Sequence, residues 1–498
     1  CQTSQKNTMR NVIPLQLQLG ETDIAEIQFD PRSRDDIPQL LCGLQFLYTD
    51  KALRETIFTA LEKLISADVD TGVGRPGMHL WQILVMGTLR INLNWDYDRL
   101  LEMVNNHKTI RQMLGHGIRN EDDQYSLQTL KDNIGLFTPE ILDELNQIVV
   151  KAGHQFLKKK DGDLKGRCDS FVVETDVHFP TDISLLSDAI RKVVTLTADL
   201  SQEFGLTIWR QSEFNLRQFK KLYRKAQKMK HSSSKDEKKK ARQQEAIILA
   251  HNELIKQAEG FLQKANATLE LIGPQTCEEI IEKEHVIERY VAHALRQINQ
   301  IERRVIDDEK IPHEEKVFSI FEEHTEWISK GKAGVPVELG LRVCIVEDEF
   351  GFILHHNVMR KQTDDQVTVS IMEETQSRFS DFNGCSFDKG FHSPSNQTQL
   401  KELLKFPVLP KKGKRNKEEQ ARESDDVFKA SRRQHSAVES AINALEVHGL
   451  DKCPDHGIDG FERYVALAVI SRNIQKLGAE IRKQAEEQRR RKKLRLAA

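Results

Sequence analysis

A long helical pattern between two groups of strand-like runs restricts the folds open to this chain. Residues 183–330 are rich in Lys, Glu, Gln, Ala and Leu and contain no strand-like run of any length. The polar segment 230–241 divides this pattern, and long helical patterns on both sides of a short polar loop predict an antiparallel helical hairpin. A further helix is predicted at 280–304. We interpret 187–335 as a helical insertion rather than as a separate enzyme.

The composition is that of a soluble protein with more than one domain. A chain of 498 residues has room for roughly two to four domains. Its seven cysteines are scattered without a CxxC pair, which predicts neither a disulfide framework nor a zinc ribbon and favours a reducing compartment. No apolar run approaches the roughly 20 residues that span a bilayer. We therefore expect a cytoplasmic protein with no membrane partner.

Basic residues are concentrated in blocks, although the formal net charge is only -2. Such blocks are usually solvated faces or tails, but several of them in one chain also indicate a polyanionic partner. They lie at 158–167, 220–242, 411–417 and 489–495.

The first 155 residues read as a helical module. Its helices are predicted at 52–65, 78–92, 97–104 and 110–114. Thr138 and Pro139 are a suitable N-cap and first residue for another helix at 141–150. The module is either a packing unit or a helical DNA-binding head.

Acidic residues accompany the strand-like runs. Asp169 comes shortly before the apolar run 171–173, which follows a predicted linker at 157–166 and leads to a helix start at 180–182. Burying a carboxylate costs several kcal/mol unless it is paired. Asp169 is therefore either satisfied locally, as a turn or capping residue, or present to hold a cation.

Two further acids follow later strands. The runs 341–346 and 352–359 predict a β-hairpin whose turn ends at Gly351, and a third run, 384–387, ends at Asp388. After a basic linker at 410–422, a helix predicted at 428–446 carries Glu439 at the border of its apolar stripe. Glu439 either faces the strand ends or belongs to an exposed polar face.

Asp169, Asp388 and Glu439 have the order and element types of an Asp-Asp-Glu site in an RNase H-like fold. In such chemistry two Mg²⁺ ions, roughly 3.5–4 Å apart, activate the attacking oxygen and neutralise the leaving one. Mg²⁺ prefers carboxylate oxygens and keeps several waters, so three carboxylates suffice.

Three strings carry a family resemblance: CDSFVVETDVHFPTDISLL at 168–186, CSFDKGFHSP at 385–394, and the segment 432–474 that begins RRQHSAVESAINALEVHGL. They resemble bacterial insertion-sequence transposases of the DDE type, of the ISNCY-like group. The segment 74–115 is similar to the helical N-terminal domain of such transposases.

The resemblance implies an α+β protein with an RNase H-like catalytic core. A helical DNA-binding domain would occupy 1–155, and the core would be divided into 156–186 and 336–478 by the helical insertion, 187–335. A basic tail, 479–498, would follow.

Carried over residue by residue, the resemblance makes Asp169, Asp388 and Glu439 the catalytic residues and the ligands of two Mg²⁺ or Mn²⁺ ions. Asp176 is a rival for the first position. Asp169 is preferred because the family's string opens with the acid and runs on as DSFVVET does here. Phe171 stands where a Thr is usual.

The surroundings of Glu439 depart further from the family. His435 occupies the place of an Arg, and Glu446 stands about where a Lys is usual. Candidates for orienting DNA phosphate or water are Lys389, His392, Arg432 and His435. Lys238, Lys239 and Lys240, in the polar segment 230–241, are expected to contact DNA.

The expected function is DNA transposition, by phosphodiester hydrolysis and transesterification. Its partners would be double-stranded DNA, as element ends and as target, and further copies of the chain in a dimer or larger assembly on the nucleoid. The alternative is a DNA-binding or scaffolding protein that keeps the fold without catalysis. A coiled-coil protein is disfavoured because 183–330 holds no sustained heptads.

Overall fold

The computed structural model describes residues 8–9, 11–13, 22–65, 75–117, 122–158, 162–329 and 336–497. The predicted α+β class is confirmed. The chain forms two compact units, which we call the sheet unit (1–176 with 328–498) and the helical unit (Val177–Trp327). Among the described residues, none of the helices has both the length and the apolar character needed to cross a bilayer.

The first part of the sheet unit is helical, as predicted. Its elements are β1 (Thr8–Met9), α1 (Asp36–Thr49), α2 (Lys51–Glu62), β2 (Arg75–Pro76), α3 (Leu80–Asn92), α4 (Tyr97–Asn106), α5 (Lys108–Met113), α6 (Leu127–Ile134) and α7 (Pro139–Phe156). Every residue of α3 is buried, which confirms the predicted buried helix. The predicted cap of α7 is also confirmed, since the Thr138 side chain accepts a hydrogen bond from the Ile141 amide and Pro139 is the first residue.

The long strand β3 (Leu164–Thr175) leads into the helical unit. The predicted linker at 157–166 was wrong in its second half, because Leu164 is fully buried and pairs with Phe382. This part of the strand was not predicted because Lys165, Gly166 and Arg167 interrupt the apolar run.

The helical unit has a hydrophobic core of its own. Its helices are α8 (Asp182–Glu203), α9 (Ser212–Lys228), α10 (Glu237–Ile272) and α11 (Glu278–Ile301). The helix start at 180–182 and the helix at 280–304 are thereby confirmed.

The prediction that Lys238, Lys239 and Lys240 lie in a loop was wrong. They belong to the first turn of α10. The reason is local. The Asp236 side chain accepts a hydrogen bond from the Lys238 amide, at 3.0 Å, and so caps a helix that begins inside the polar segment.

The chain then returns to the sheet unit. The remaining elements are β4 (Glu326–Ser329), β5 (Val337–Asp348), β6 (Ile353–Met359), α12 (Asp364–Arg378), β7 (Phe382–Phe387), α13 (Pro394–Leu403), β8 (Phe406–Val408), α14 (Lys417–Ser424), α15 (Asp426–His435), α16 (Ala437–Leu445), β9 (Lys452–Cys453) and α17 (Gly457–Ala497). The predicted β5–β6 hairpin is confirmed, and Gly351 in its turn has a φ of 83°.

Two predictions for the region before Glu439 were wrong. The basic linker at 410–422 contains α14, which Asn416 and Glu419 begin with a reciprocal capping box. The single helix predicted at 428–446 is two helices, α15 and α16, which separate at Ser436. Arg432 and His435 are therefore on a different helix from Glu439.

The mixed seven-stranded sheet has the order β4-β5-β3-β7-β8, with β6 also paired to β5 and β9 to β3. β3 is antiparallel to β5 and parallel to β7, and β7 is parallel to β8. Cys168 pairs with Phe387. The next residue along each strand direction is an acid, so Asp169 and Asp388 come level at neighbouring positions of the sheet.

One hydrophobic core joins the N-terminal helices, the sheet and α17. A close helix crossing in it, between α1 and α17, depends on two glycines. A Cβ atom on Gly478 would lie 1.9 Å from the Gln39 carbonyl oxygen, and one on Gly43 would lie 2.2 Å from the Ile474 carbonyl oxygen. No side chain larger than hydrogen fits at either position.

Candidate functional site

Three acids from distant parts of the chain meet at one edge of the sheet. Asp169 is half-buried in β3, Asp388 is exposed directly after β7, and Glu439 is exposed in the first turn of α16, which packs against β3. Asp388 and Glu439 both lie close enough to act on the charge of Asp169. We call this group, together with Asp364 described below, the acid edge.

Burial raises the pKa of Asp169 to about 6. The Ser170 amide, which donates to Asp169 Oδ1 at 2.8 Å, opposes the rise, and the negative charges of Asp388, Asp364 and Glu439 add to it. The repulsion among these carboxylates means that a cation placed between them would be favoured.

A fourth acid, Asp364, escaped the sequence reasoning. It is the first residue of α12, and its Oδ1 accepts a hydrogen bond from Ser170 Oγ at 2.6 Å. A Cβ on Gly390 would lie 2.8 Å from Asp364 Oδ2, so this carboxylate also approaches the loop after Asp388. Acidic residues are common in the first turn of a helix, where the helix dipole favours them. The sequence therefore gave no reason to assign Asp364 to the site.

The donor set of the acid edge fits a hard divalent cation, because carboxylate oxygens are the ligands that Mg²⁺ and Mn²⁺ prefer. Among the described residues, however, no three His, Cys, Asp or Glu side chains already converge to hold an ion. Asp388 and Glu439 are exposed, whereas Asp169 is half-buried.

Asp176, the rival for the first acid, lies past the far end of β3. Its Oδ1 is 2.5 Å from Lys452 Nζ, and it is not among the groups that act on the pKa of Asp169. The geometry therefore favours Asp169 over Asp176 for the first position.

His435 lies beside the acid edge, at the end of α15. Its Nδ1 is 3.1 Å from Ser386 Oγ on β7. Burial lowers the pKa of His435, with Asp388 and Glu439 acting in the opposite direction and Arg167 adding to the fall. The imidazole is therefore neutral at pH 7.

Arg167 holds this histidine's helix in place, and the sequence reasoning missed it. Its guanidinium donates to the Asp348 carbonyl oxygen at 2.8 Å and to the Gln434 carbonyl oxygen at 3.2 Å. Its Nε is 3.3 Å from Glu347 Oε2. Burial raises the pKa of Glu347 to about 7, and the charge of Arg167 opposes that rise. The sequence did contain a sign that Arg167 belongs to the site. It is two residues from Asp169, and alternate residues of a strand lie on the same face of the sheet.

The other predicted phosphate-orienting residues are more dispersed. Lys389 is exposed in the turn directly after Asp388. The pKa of His392 is lowered by burial and then by the charge of Lys411. Arg432 Nη1 is 3.9 Å from the buried Glu423 of α14. Lys238, Lys239 and Lys240 belong to the helical unit.

A cleft of about 490 Å³ opens beside the acid edge, between the β7–β8 border of the sheet and helices α15 and α16. Its lining includes three cations (Lys165, Arg167 and Arg433), four serines (Ser386, Ser431, Ser436 and Ser440), the aromatic Phe406 and one acid, Glu349. Lys165 Nζ lies 4.7 Å from the centre of the Phe406 ring, which is 42% exposed. Such a lining suits a phosphate backbone.

Comparison of the chain with protein-family models, with curated proteins and with solved structures gave no match.

Proposed function

We propose that this protein is a DDE-type DNA transposase with an RNase H-like core. The strand order supports the proposal. The three antiparallel strands β3, β5 and β6 come in this order in the sequence, with the short β4 before β5. β7 and β8 then add on the other side of β3 and run parallel to it. An RNase H-like sheet would have its five strands in this order, and β4 and β9 would be additions to it. The helical unit is inserted after the first of these strands.

The single observation that carries the proposal is the proximity of Asp169, Asp388 and Glu439 at the acid edge, where burial and then the negative charges of the neighbouring acids raise the pKa of Asp169. These three residues would hold two Mg²⁺ or Mn²⁺ ions. When bound, such ions activate an attacking water or 3′ hydroxyl and neutralise the leaving oxygen.

The rest of the site would bind and orient the DNA. The cleft lined by Lys165 and Arg433 would take phosphates next to the scissile one. His435, hydrogen-bonded to Ser386, would lie beside Asp388. Because its imidazole is neutral, it would not form an ion pair with Asp388 in place of the metal ion. Arg167 would fix the end of α15 and, through it, His435. Lys389, directly after Asp388, would contribute a further cation.

The proposed substrates are the terminal inverted repeats of the element and a target duplex. Cleavage and joining at two ends require at least two active sites, so a dimer or larger assembly forms on the DNA, at the nucleoid.

The test uses the full-length protein and a DNA fragment that carries the sequences flanking its gene. We expect nicking at the element ends with Mg²⁺ or Mn²⁺ and none with EDTA. The second candidate, an inactive DNA-binding protein, would bind the same fragment in both conditions and cut in neither.

A further inference from the structure

Six cations form a stripe along one face of α9. They are all exposed, and at 100° per residue they fall within an arc of about 140°. We call them the α9 stripe: Arg217, Lys220, Lys221, Arg224, Lys225 and Lys228.

The opposite face of α9 is fixed in the core of the helical unit. Phe219 and Ala226 are buried there, with 2% exposure each, and Phe219 packs against Phe261 of α10 at 6.0 Å between ring centres. The helix therefore presents its cations outwards and cannot turn them in.

Most of the positive charge of the α9 stripe is not neutralised by acidic side chains. Lys225 Nζ is 2.5 Å from Glu253 Oε2, and Lys221 donates to the Gln218 side chain at 3.3 Å. Within the part of the chain that the structure describes, the ion pairs include no carboxylate partner for the other four members, Arg217, Lys220, Arg224 and Lys228. Like charges at i,i+3 and i,i+4 destabilise a helix, by roughly 0.2–0.5 kcal/mol per pair. An anionic partner would reverse this effect.

The shape of the stripe fits duplex DNA. From Arg217 to Lys228 it extends about 16 Å along the helix axis, and a helix of about 10–12 Å diameter enters or lies along a B-DNA major groove about 12 Å wide. The major groove of double-stranded RNA is too narrow. A membrane surface is disfavoured because binding there requires an extended exposed apolar face. Phe219 and Ala226 of α9 are buried, and Phe214 is the one large hydrophobic residue that this helix exposes, at 49%.

We infer that the α9 stripe binds the phosphate backbone of duplex DNA, as a second DNA contact outside the acid edge. This inference rests on the proposed function for its biological setting, but not for its measurement. It also moves the expected contact of the helical unit from α10 to α9. In the first turn of α10 the cations are partly offset by acids, since Lys240 Nζ is 2.9 Å from Glu237 Oε1.

The experiment compares two triple variants of the full-length protein. Lys220→Gln, Arg224→Gln and Lys228→Gln together remove half of the stripe. The control, Lys256→Gln, Arg296→Gln and Lys310→Gln, removes the same charge from exposed positions elsewhere in the helical unit. Affinity for a 30-base-pair duplex of arbitrary sequence is measured in EDTA across a range of KCl concentrations.

We expect the stripe variant to reduce the slope of log affinity against log salt concentration by about 2 to 3, since each phosphate contact contributes roughly 0.9. The control should keep the wild-type slope, and both variants should keep the wild-type unfolding midpoint. If both variants lost the same amount of slope, net charge rather than the α9 stripe would account for the binding. An unchanged slope in the stripe variant would overturn the inference. So would tighter binding to phosphatidylserine vesicles than to the duplex.

The two proposals fail separately. Metal-dependent nicking with an unchanged salt slope would retain the transposase and remove the α9 contact. A reduced slope without nicking would retain the contact and remove the transposase.

Discussion

Asp169 makes the stability of the sheet unit depend on pH. Its folded-state pKa of about 6 lies above its ordinary value of 3.8, so the folded protein binds the proton more tightly than the unfolded chain does. The stability from this proton is present below about pH 4 and is lost as the pH rises through 6. The loss is on the order of 3 kcal/mol.

We therefore predict that Asp169→Asn stabilises the metal-free protein at pH 7.5, by up to about 3 kcal/mol, because the buried charge is removed. At pH 4 the variant and the wild type should have similar stability. Urea unfolding at both pH values, in EDTA, measures the difference. A difference of the same size at pH 4 and pH 7.5 would contradict the electrostatic explanation. Added Mg²⁺ should stabilise the wild type more than the variant.

Catalysis gives a second prediction for the same acids. Asp169→Asn, Asp388→Asn and Glu439→Gln should each reduce metal-dependent nicking by at least about 10³-fold, since a neutral amide does not supply the negative charge that each carboxylate would give the metal ions. DNA binding in EDTA should persist. Asp176→Asn is the matched control, because Asp176 is paired with Lys452 away from the acid edge. Loss of nicking in Asp176→Asn but not in Asp169→Asn would transfer the first role to Asp176.

The sequence predicted the acids that lie in recognisable strings, Asp169, Asp388 and Glu439, and missed the residues that depend on tertiary contacts. Asp364 joins the acid edge because the first residue of α12 lies within hydrogen-bond distance of Ser170 on β3. Arg167 matters through two backbone carbonyl oxygens, at 348 and 434, that no local pattern connects.

Among the secondary-structure elements, periodicity predicted those that bury a continuous stripe, such as α3, α7 and the β5–β6 hairpin. It failed where the pattern continues across a break. The apolar spacing runs on from α15 into α16 although the helix ends at Ser436, whose Oγ hydrogen-bonds the Arg433 carbonyl oxygen at 3.0 Å. The short strand β8, at 406–408, was missed because three residues carry no period.

The crossing of α1 and α17 gives a prediction at the level of helix packing. Gly478→Ala should destabilise the protein by roughly 1–3 kcal/mol, because the added methyl group meets the Gln39 carbonyl oxygen and the two helices must separate. Urea unfolding measures the change.

Gly460→Ala, in the same helix, is the control. There the nearest atom to the new Cβ is 3.5 Å away, an ordinary contact, and alanine's better helix propensity should stabilise the protein by up to about 1 kcal/mol. Equal destabilisation by both substitutions would mean that the close crossing is not the cause.

The division of the molecule into units leads to a prediction about fragments. The helical unit has its own hydrophobic core, whereas the N-terminal helices share theirs with the sheet and α17. Residues 177–327 expressed alone should therefore be soluble, helical and cooperative in unfolding. Deletion of residues 1–155 should leave the remainder aggregated, with its apolar surface exposed. Circular dichroism and size-exclusion chromatography distinguish these outcomes, and a monomeric, folded deletion protein would refute the shared core.

The sequence indicated the insertion from its composition, but it could not show which helices share the core of the sheet. That depends on contacts such as the one between Asn146 of α7 and Asn473 of α17, at 2.7 Å, which join residues far apart in the sequence.

The glycine crossing of α1 and α17 also has a temporal consequence. Gly478 of α17 follows Thr49, the last residue of α1, by 429 residues, so the ribosome makes α1 long before its partner helix. At roughly 5–20 residues per second, the face of α1 that receives Gly478 waits tens of seconds for its partner. The core of the sheet unit therefore cannot be completed until α17 has been translated, and a chain that stops before α17 would carry the acid edge without the complete core that supports it.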